Sequence, residues 1–95
     1  MSRPVHFKLR LYVAGDAPNS VQAVANLGVL CREYLADRHE IEVVDVLREP
    51  ERALADGVML TPMLVKLKPE PTRKIIGTLS QTQTVLQTLG LLVSA

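Results

Sequence analysis

Few residues in this chain of 95 amino acids could do chemistry, and their spacing argues against most of it. A dithiol redox centre needs two sulfurs one turn apart at the head of a helix, where the helix dipole lowers the thiol pKa. The chain has one cysteine, Cys31, and the matching stretch Gly15-Asp16-Ala17-Pro18-Asn19-Ser20 holds none. Cys31 falls instead in the middle of an apolar helical arc, which predicts a buried thiol that behaves as a small hydrophobe. His6 and His39 lie far apart, and with Cys31 inside they do not make the set of about three or four convergent ligands that zinc requires. No metal and no cofactor is therefore expected. Ala14-Gly15-Asp16 has a single glycine and a carboxylate that would repel phosphate, so it is no phosphate loop. Asp45 reads as a turn cap or a partner of Arg48 rather than a ligand group. No nucleophile stands at a spacing that would bring a base beside it, so catalysis is not expected.

What remains suits binding to proteins. Lys66, Lys68, Arg73 and Lys74 place four cations on one expected hairpin, either as a contact surface or as charges guarding a strand edge. The second strand, carrying Glu40 and Glu42, is an edge that could accept a partner strand or be protected by those same carboxylates.

Composition narrows the classes further. A formal net charge of +1 and an aromatic content of 3% offer neither a field nor stacking platforms for nucleic acid or an anionic membrane. Apolar runs fall far short of the ~20 residues that span a bilayer. Met1-Ser2-Arg3-Pro4-Val5-His6 lacks the apolar core of an export signal, and one cysteine suits a reducing compartment, so a cytoplasmic location is expected. With 47% hydrophobic and 22% charged residues the chain reads as one globular domain over 1–95.

The elements that must position these residues follow from periodicity. Apolar residues alternate strictly over Phe7–Val13, so Phe7, Leu9, Leu11 and Val13 share one face of a strand. Asp16, Pro18, Asn19 and Ser20 supply cap and first-turn chemistry for a helix over 21–36. Its expected apolar arc holds Val21, Val24, Leu27, Gly28, Cys31, Tyr34 and Leu35, with Gln22, Asn26 and Glu33 opposite. A β-branched strand over 41–46 should lie parallel to the first through a right-handed crossover. A short helix over 51–55 follows Pro50 and stops at Asp56-Gly57. A strand over 58–67 with Pro62 near its start, a turn at Lys68-Pro69-Glu70-Pro71 and a strand over 72–77 complete a hairpin. Ser80 and Gln83 match a capping box for a last helix that buries Val85, Leu86, Leu89, Leu92 and Val93.

The order βαβαββα predicts an α/β, thioredoxin-like fold with a four-stranded mixed sheet. The first strand would lie inside, the second on one edge and the strand after the turn on the other. The first and last helices would cover one face. The short helix would cover the other incompletely, leaving room for Lys8, Arg10 and Tyr12. In such folds a cis proline sits at the place of Pro62.

Three ordered stretches carry a more specific signal: Leu11-Tyr12-Val13-Ala14-Gly15 with Pro18-Asn19-Ser20, Val44-Asp45-Val46-Leu47 followed by Pro50, and Thr61-Pro62 leading through Pro69 and Pro71 to Arg73-Lys74-Ile75-Ile76-Gly77 and Leu79-Ser80. On these the chain resembles the KaiB family from about Leu9 to Leu92. The resemblance implies a non-enzymatic regulator that binds a KaiC-like hexameric ATPase, with KaiA and a SasA-like kinase as further partners and self-association as a tetramer or dimer. It also implies a second attainable fold, the tetramer-type order βαββααβ, reached by rearranging the region between Gly57 and the last helix. Lys66, Arg73 and Lys74 with Leu60, Thr61 and Pro62 are the expected partner-binding residues. A SasA-like thioredoxin-fold docking domain is the alternative function. The chain departs from the family pattern at Glu70, at Thr78 and in a last helix without the usual charges, which points to a KaiC-type ATPase in a timing or stress pathway without a full oscillator.

Overall fold

A computed structural model describes residues 5–92 of the chain. Its elements are β1 (Phe7–Val13), α1 (Pro18–Tyr34), β2 (His39–Asp45), α2 (Pro50–Ala55), β3 (Met63–Lys68), β4 (Arg73–Ile76) and α3 (Thr82–Leu89). This is the βαβαββα order; the described residues do not take the alternative βαββααβ. The strands lie in the sequence β2-β1-β3-β4, with β1 parallel to β2 and antiparallel to β3, and β3 antiparallel to β4.

The alternation in β1 divides the interior into two cores. Phe7, Leu9, Leu11 and Val13 pack with Leu27, Leu30 and Cys31 of α1 and Val85, Leu86 and Leu89 of α3. On the opposite face Tyr12 packs with Val44, Ala53, Met63 and Val65 under α2.

The helix α1 is rotated from the arc that periodicity suggested. Its buried stripe is Ser20, Ala23, Leu27, Leu30 and Cys31, whereas Val21, Val24 and Tyr34 are exposed. Apolar residues occur on nearly every side of this helix, so pattern alone does not select a face. Small Ala23 and Ser20 let the helix approach the sheet closely, and the Ser20 hydroxyl accepts a hydrogen bond from the Ala14 N–H at 3.1 Å, fixing the rotation at its start. No side chain caps α1; Ala17 takes the N-cap position and Pro18 the first turn.

The strand expected over 58–67 begins only at Met63. The Val58 N–H turns back to the Ala53 carbonyl at 2.9 Å, and Pro62 has no N–H to give a ladder, so this segment closes α2 rather than extending β3. The Thr61–Pro62 peptide is cis, as are Lys68–Pro69 and Glu70–Pro71.

The capping box does not form. Gln81 occupies the N-cap of α3 without a side-chain bond, and the Ser80 hydroxyl accepts from Thr78 Oγ1 at 3.2 Å. The reason lies one residue earlier: Leu79 is buried in the larger core with a left-handed φ of 63°, so the chain turns there and the helix starts later. Asn26 of α1 ties down this joint by donating to the Thr78 carbonyl at 2.9 Å. At its far end α3 stops on Gly90, whose φ of 81° suits glycine. Leu92 lies beyond the helix and is exposed rather than buried, and Val93 falls outside the described residues.

Candidate functional site

At the head of α1, where a redox pair would sit, the chain has built a structural clasp. Asp45 Oδ1 accepts from the Gly15 N–H at 3.1 Å and from the Leu47 N–H at 2.9 Å. Arg48 Nε stands 4.0 Å from the other carboxylate oxygen. The expected turn-cap role of Asp45 thus holds, with one carboxylate oxygen taken by two backbone N–H groups. Cys31 is fully buried, and burial pushes its thiol up to about 11.

The densest polar arrangement lies on the other face, between the sheet and α2. Arg10 on β1 donates through Nε to Glu42 at 2.8 Å and through Nη1 to Asp56 at 3.0 Å. Arg52 of α2 reaches the same Glu42 oxygen at 2.8 Å and Glu49 at 3.4 Å. The Tyr12 hydroxyl donates to the Asp56 carboxylate, with the Arg52 carbonyl 3.1 Å away. Lys74 on β4 donates to the Asp56 carbonyl at 2.5 Å. Hydrogen bonds from Arg52 and Arg10 hold the Glu42 carboxyl down to about 2, and the Tyr12 hydroxyl, with Arg10 behind it, holds Asp56 below the usual range. Each charge in this arrangement has a partner, so it fastens α2 to the sheet.

The residues expected to bind a partner do not form one cluster. Leu60 stands 60% exposed and Thr61 half-buried in the loop before β3, while Pro62 is buried. Lys66 is a correction to the expected row of exposed cations, for it is only 4% exposed. Register explains this. Lys66 lies opposite Arg73, and Leu64 opposite Ile75, on the side of α1 and α3; Lys74 lies opposite Val65, on the side of α2. Arg73 and Lys74 are exposed but point to opposite faces.

Sequence reading missed two features. One is the Arg10–Tyr12–Asp56 arrangement, although polar residues alternating with apolar ones on an interior strand are a usable signal that polar partners wait across that face. The other is a set of exposed apolar side chains around α2: Leu54 (78% exposed) on the helix, Met59 (87%) beside Leu60, and Ile76 on β4.

The KaiB domain family matches residues 10–91. The circadian clock protein KaiB3 of Synechocystis sp. is 46% identical over 83 residues, which is 87% of this chain and 79% of that protein. The circadian clock oscillator protein KaiB of Microcystis aeruginosa is 44% identical over 86 residues, 90% of this chain and 83% of its own. Among solved structures, the N-terminal domain of Synechococcus elongatus SasA superposes with a TM-score of 0.75 at 20% identity, covering 100% of this chain and 93% of that one. Mitochondrial thioredoxin 3 of Saccharomyces cerevisiae gives 0.73 at 20% identity, covering 92% and 80%. At these identities the structures speak to the fold, which is thioredoxin-like.

Proposed function

Because this chain belongs to the KaiB family of circadian clock proteins, we propose that it is a non-catalytic regulator whose α2 side docks on a KaiC-like hexameric ATPase. The observation that carries the reading is the group of large apolar side chains, Leu54, Met59 and Leu60, left exposed next to Lys74. Exposed apolar anchors with a charged rim are the usual make-up of a protein interface. Leu60, Thr61 and Lys74 meet the partner on this side, Arg73 meets it around the exposed β4 edge, and the buried Pro62 and Lys66 shape the hairpin behind them. The chemistry supports the same reading: the lone thiol is sealed in the core, and the carboxylates beside α2, Glu42, Glu49 and Asp56, are paired. KaiA-type and SasA-type proteins are further partners in this reading, and copies of the chain associate with one another at rest. Likeness to the SasA domain, at 20% identity, is a likeness of fold, whereas KaiB3 is 46% identical. A regulator is therefore the better reading than a sensor docking domain.

The test is a pull-down with the KaiC-type ATPase of the same genome, using the wild-type chain and a variant with Arg73→Glu and Lys74→Glu. Capture by the wild type and loss with the double reversal is expected. Equal capture of both would remove these two residues from the interface, and capture of neither would remove the partner.

A further inference from the structure

We infer that the groove beside Lys66, between the β3–β4 turn and the end of α3, binds a small organic monocarboxylate, with the Lys66 ammonium as partner of the head group and the apolar lining as seat for a short hydrocarbon body. The groove has a volume of about 420 Å³, and its floor and walls include Phe7, Leu89 and Leu91. Its charged members are Lys66, Arg38 and Glu70.

Lys66 is the unusual residue. It is 4% exposed, yet among the described residues it donates no hydrogen bond and makes no ion pair. Its cross-strand neighbour is Arg73, a like charge. Arg38 adds a second cation to the groove, held over the Phe7 ring at 5.9 Å. Glu70 is the one acidic residue on the lining and is already engaged by Lys68 at 3.0 Å. Among the described residues no wholly buried side-chain nitrogen or oxygen lacks a hydrogen-bond partner, so the unpartnered Lys66 ammonium keeps some contact with solvent, and Lys66 lines the groove.

A largely covered cation beside like charges is costly, and it favours whatever anion can reach it. Burial, with the Arg73 charge added, holds the Lys66 pKa below the usual lysine value, in keeping with an ammonium that has no anionic partner among the described residues. A carboxylate would make a charge-assisted bond to the ammonium with Arg38 adding attraction from the rim. Phosphate would answer the charge but leave the apolar lining wet; a neutral alcohol would do the reverse. A concave apolar site with a few convergent polar groups is the usual form of a small-molecule pocket.

The experiment titrates sodium hexanoate, hexanol and inorganic phosphate separately into the ¹⁵N-labelled full chain at constant ionic strength and neutral pH. Hexanoate should shift the amides of Phe7, Lys66, Leu89 and Leu91 saturably, and hexanol and phosphate should bind at least about tenfold more weakly. Lys66→Met keeps the covered stem and removes the charge, so it should weaken hexanoate by about tenfold or more, while Lys66→Arg stays within about threefold of wild type. Should Lys66→Met fail to give a native spectrum, Arg38→Gln is to be read instead, with a loss of about twofold or more expected. The inference is overturned by the absence of saturable shifts with hexanoate, by equal binding of hexanol or phosphate, or by unchanged binding in the charge-removing variant.

Discussion

Tyr12 and Asp56, 44 positions apart, meet on the α2 side of the sheet, where the phenol donates to the carboxylate that closes the helix. A helix as short as α2 is marginal alone, so its position depends on such anchors and on Ala53 beneath it. Tyr12→Phe removes the donor and keeps the ring. Urea denaturation should show a loss of about 1–2 kcal/mol with an unchanged m-value, the magnitude for a partly buried bond to a charged group. A loss too small to measure would mean that Arg10 alone holds Asp56.

The same arrangement sets a response to acid. Asp56 and Glu42 have folded-state pKa values below their unfolded ones, so their pairing stabilises the fold above the unfolded values and is lost as pH falls through the folded ones, about 2 for Glu42. Stability should therefore fall from about pH 5 downward. Glu42 is half exposed, so added salt should shrink its share. In Asp56→Asn the decline should be shallower, and the gap to wild type should close toward low pH. A gap that is independent of pH would rule out the charge as the cause.

Lys66 gives the opposite sign. Its folded pKa is depressed, so the charged form burdens the folded state at every pH below that value, and the burden fades as pH rises toward the unfolded value. Lys66→Met should stabilise the chain at neutral pH by an amount of order 1 kcal/mol, the usual sign when an unpaired buried charge is replaced by an apolar group. The gain should diminish as pH rises toward the ordinary lysine value of about 10.4. A destabilised variant would show that the ammonium has a partner.

Cys31 is fully buried with its thiol raised to about 11, so little thiolate exists near neutrality. Iodoacetamide at pH 8 should label the native chain at least about a hundredfold more slowly than the urea-unfolded chain, since labelling must wait for opening. Rapid native labelling would mean that α1 opens locally.

The exposed apolar residues separate binding from folding. Met59→Asp and Leu60→Asp replace side chains that touch solvent, so stability should change by no more than about 0.5 kcal/mol. Capture by the KaiC-type ATPase should fall about tenfold or more if these are interface anchors. Unchanged capture would move the docking surface elsewhere.

Much of the architecture was legible because β1 has a strict period of two and the connections are short. Strand order and the two faces follow from that, while the burial of Cys31 was legible from the apolar positions around it on α1. The rotation of α1 was not legible, because Val21 and Val24 compete with Ala23 for the sheet and only the Ser20 bond decides. The site was read less well for a similar reason. Lys66, Arg73 and Lys74 look adjacent along a hairpin, but cross-strand pairing sends Lys74 to one face and the other two to its reverse. Asp56 was readable only as a helix stop, since its partners Arg10 and Tyr12 lie more than 40 positions away on β1.

The bend at Leu79 has a wider consequence. A leucine in a left-handed conformation pays a local backbone penalty of about 1 kcal/mol or more, and here the core holds it in place. The geometry of the entry into α3 is thus borrowed from distant side chains instead of being written into its own residues. Loosen those, and the last helix has no local reason to start where it does.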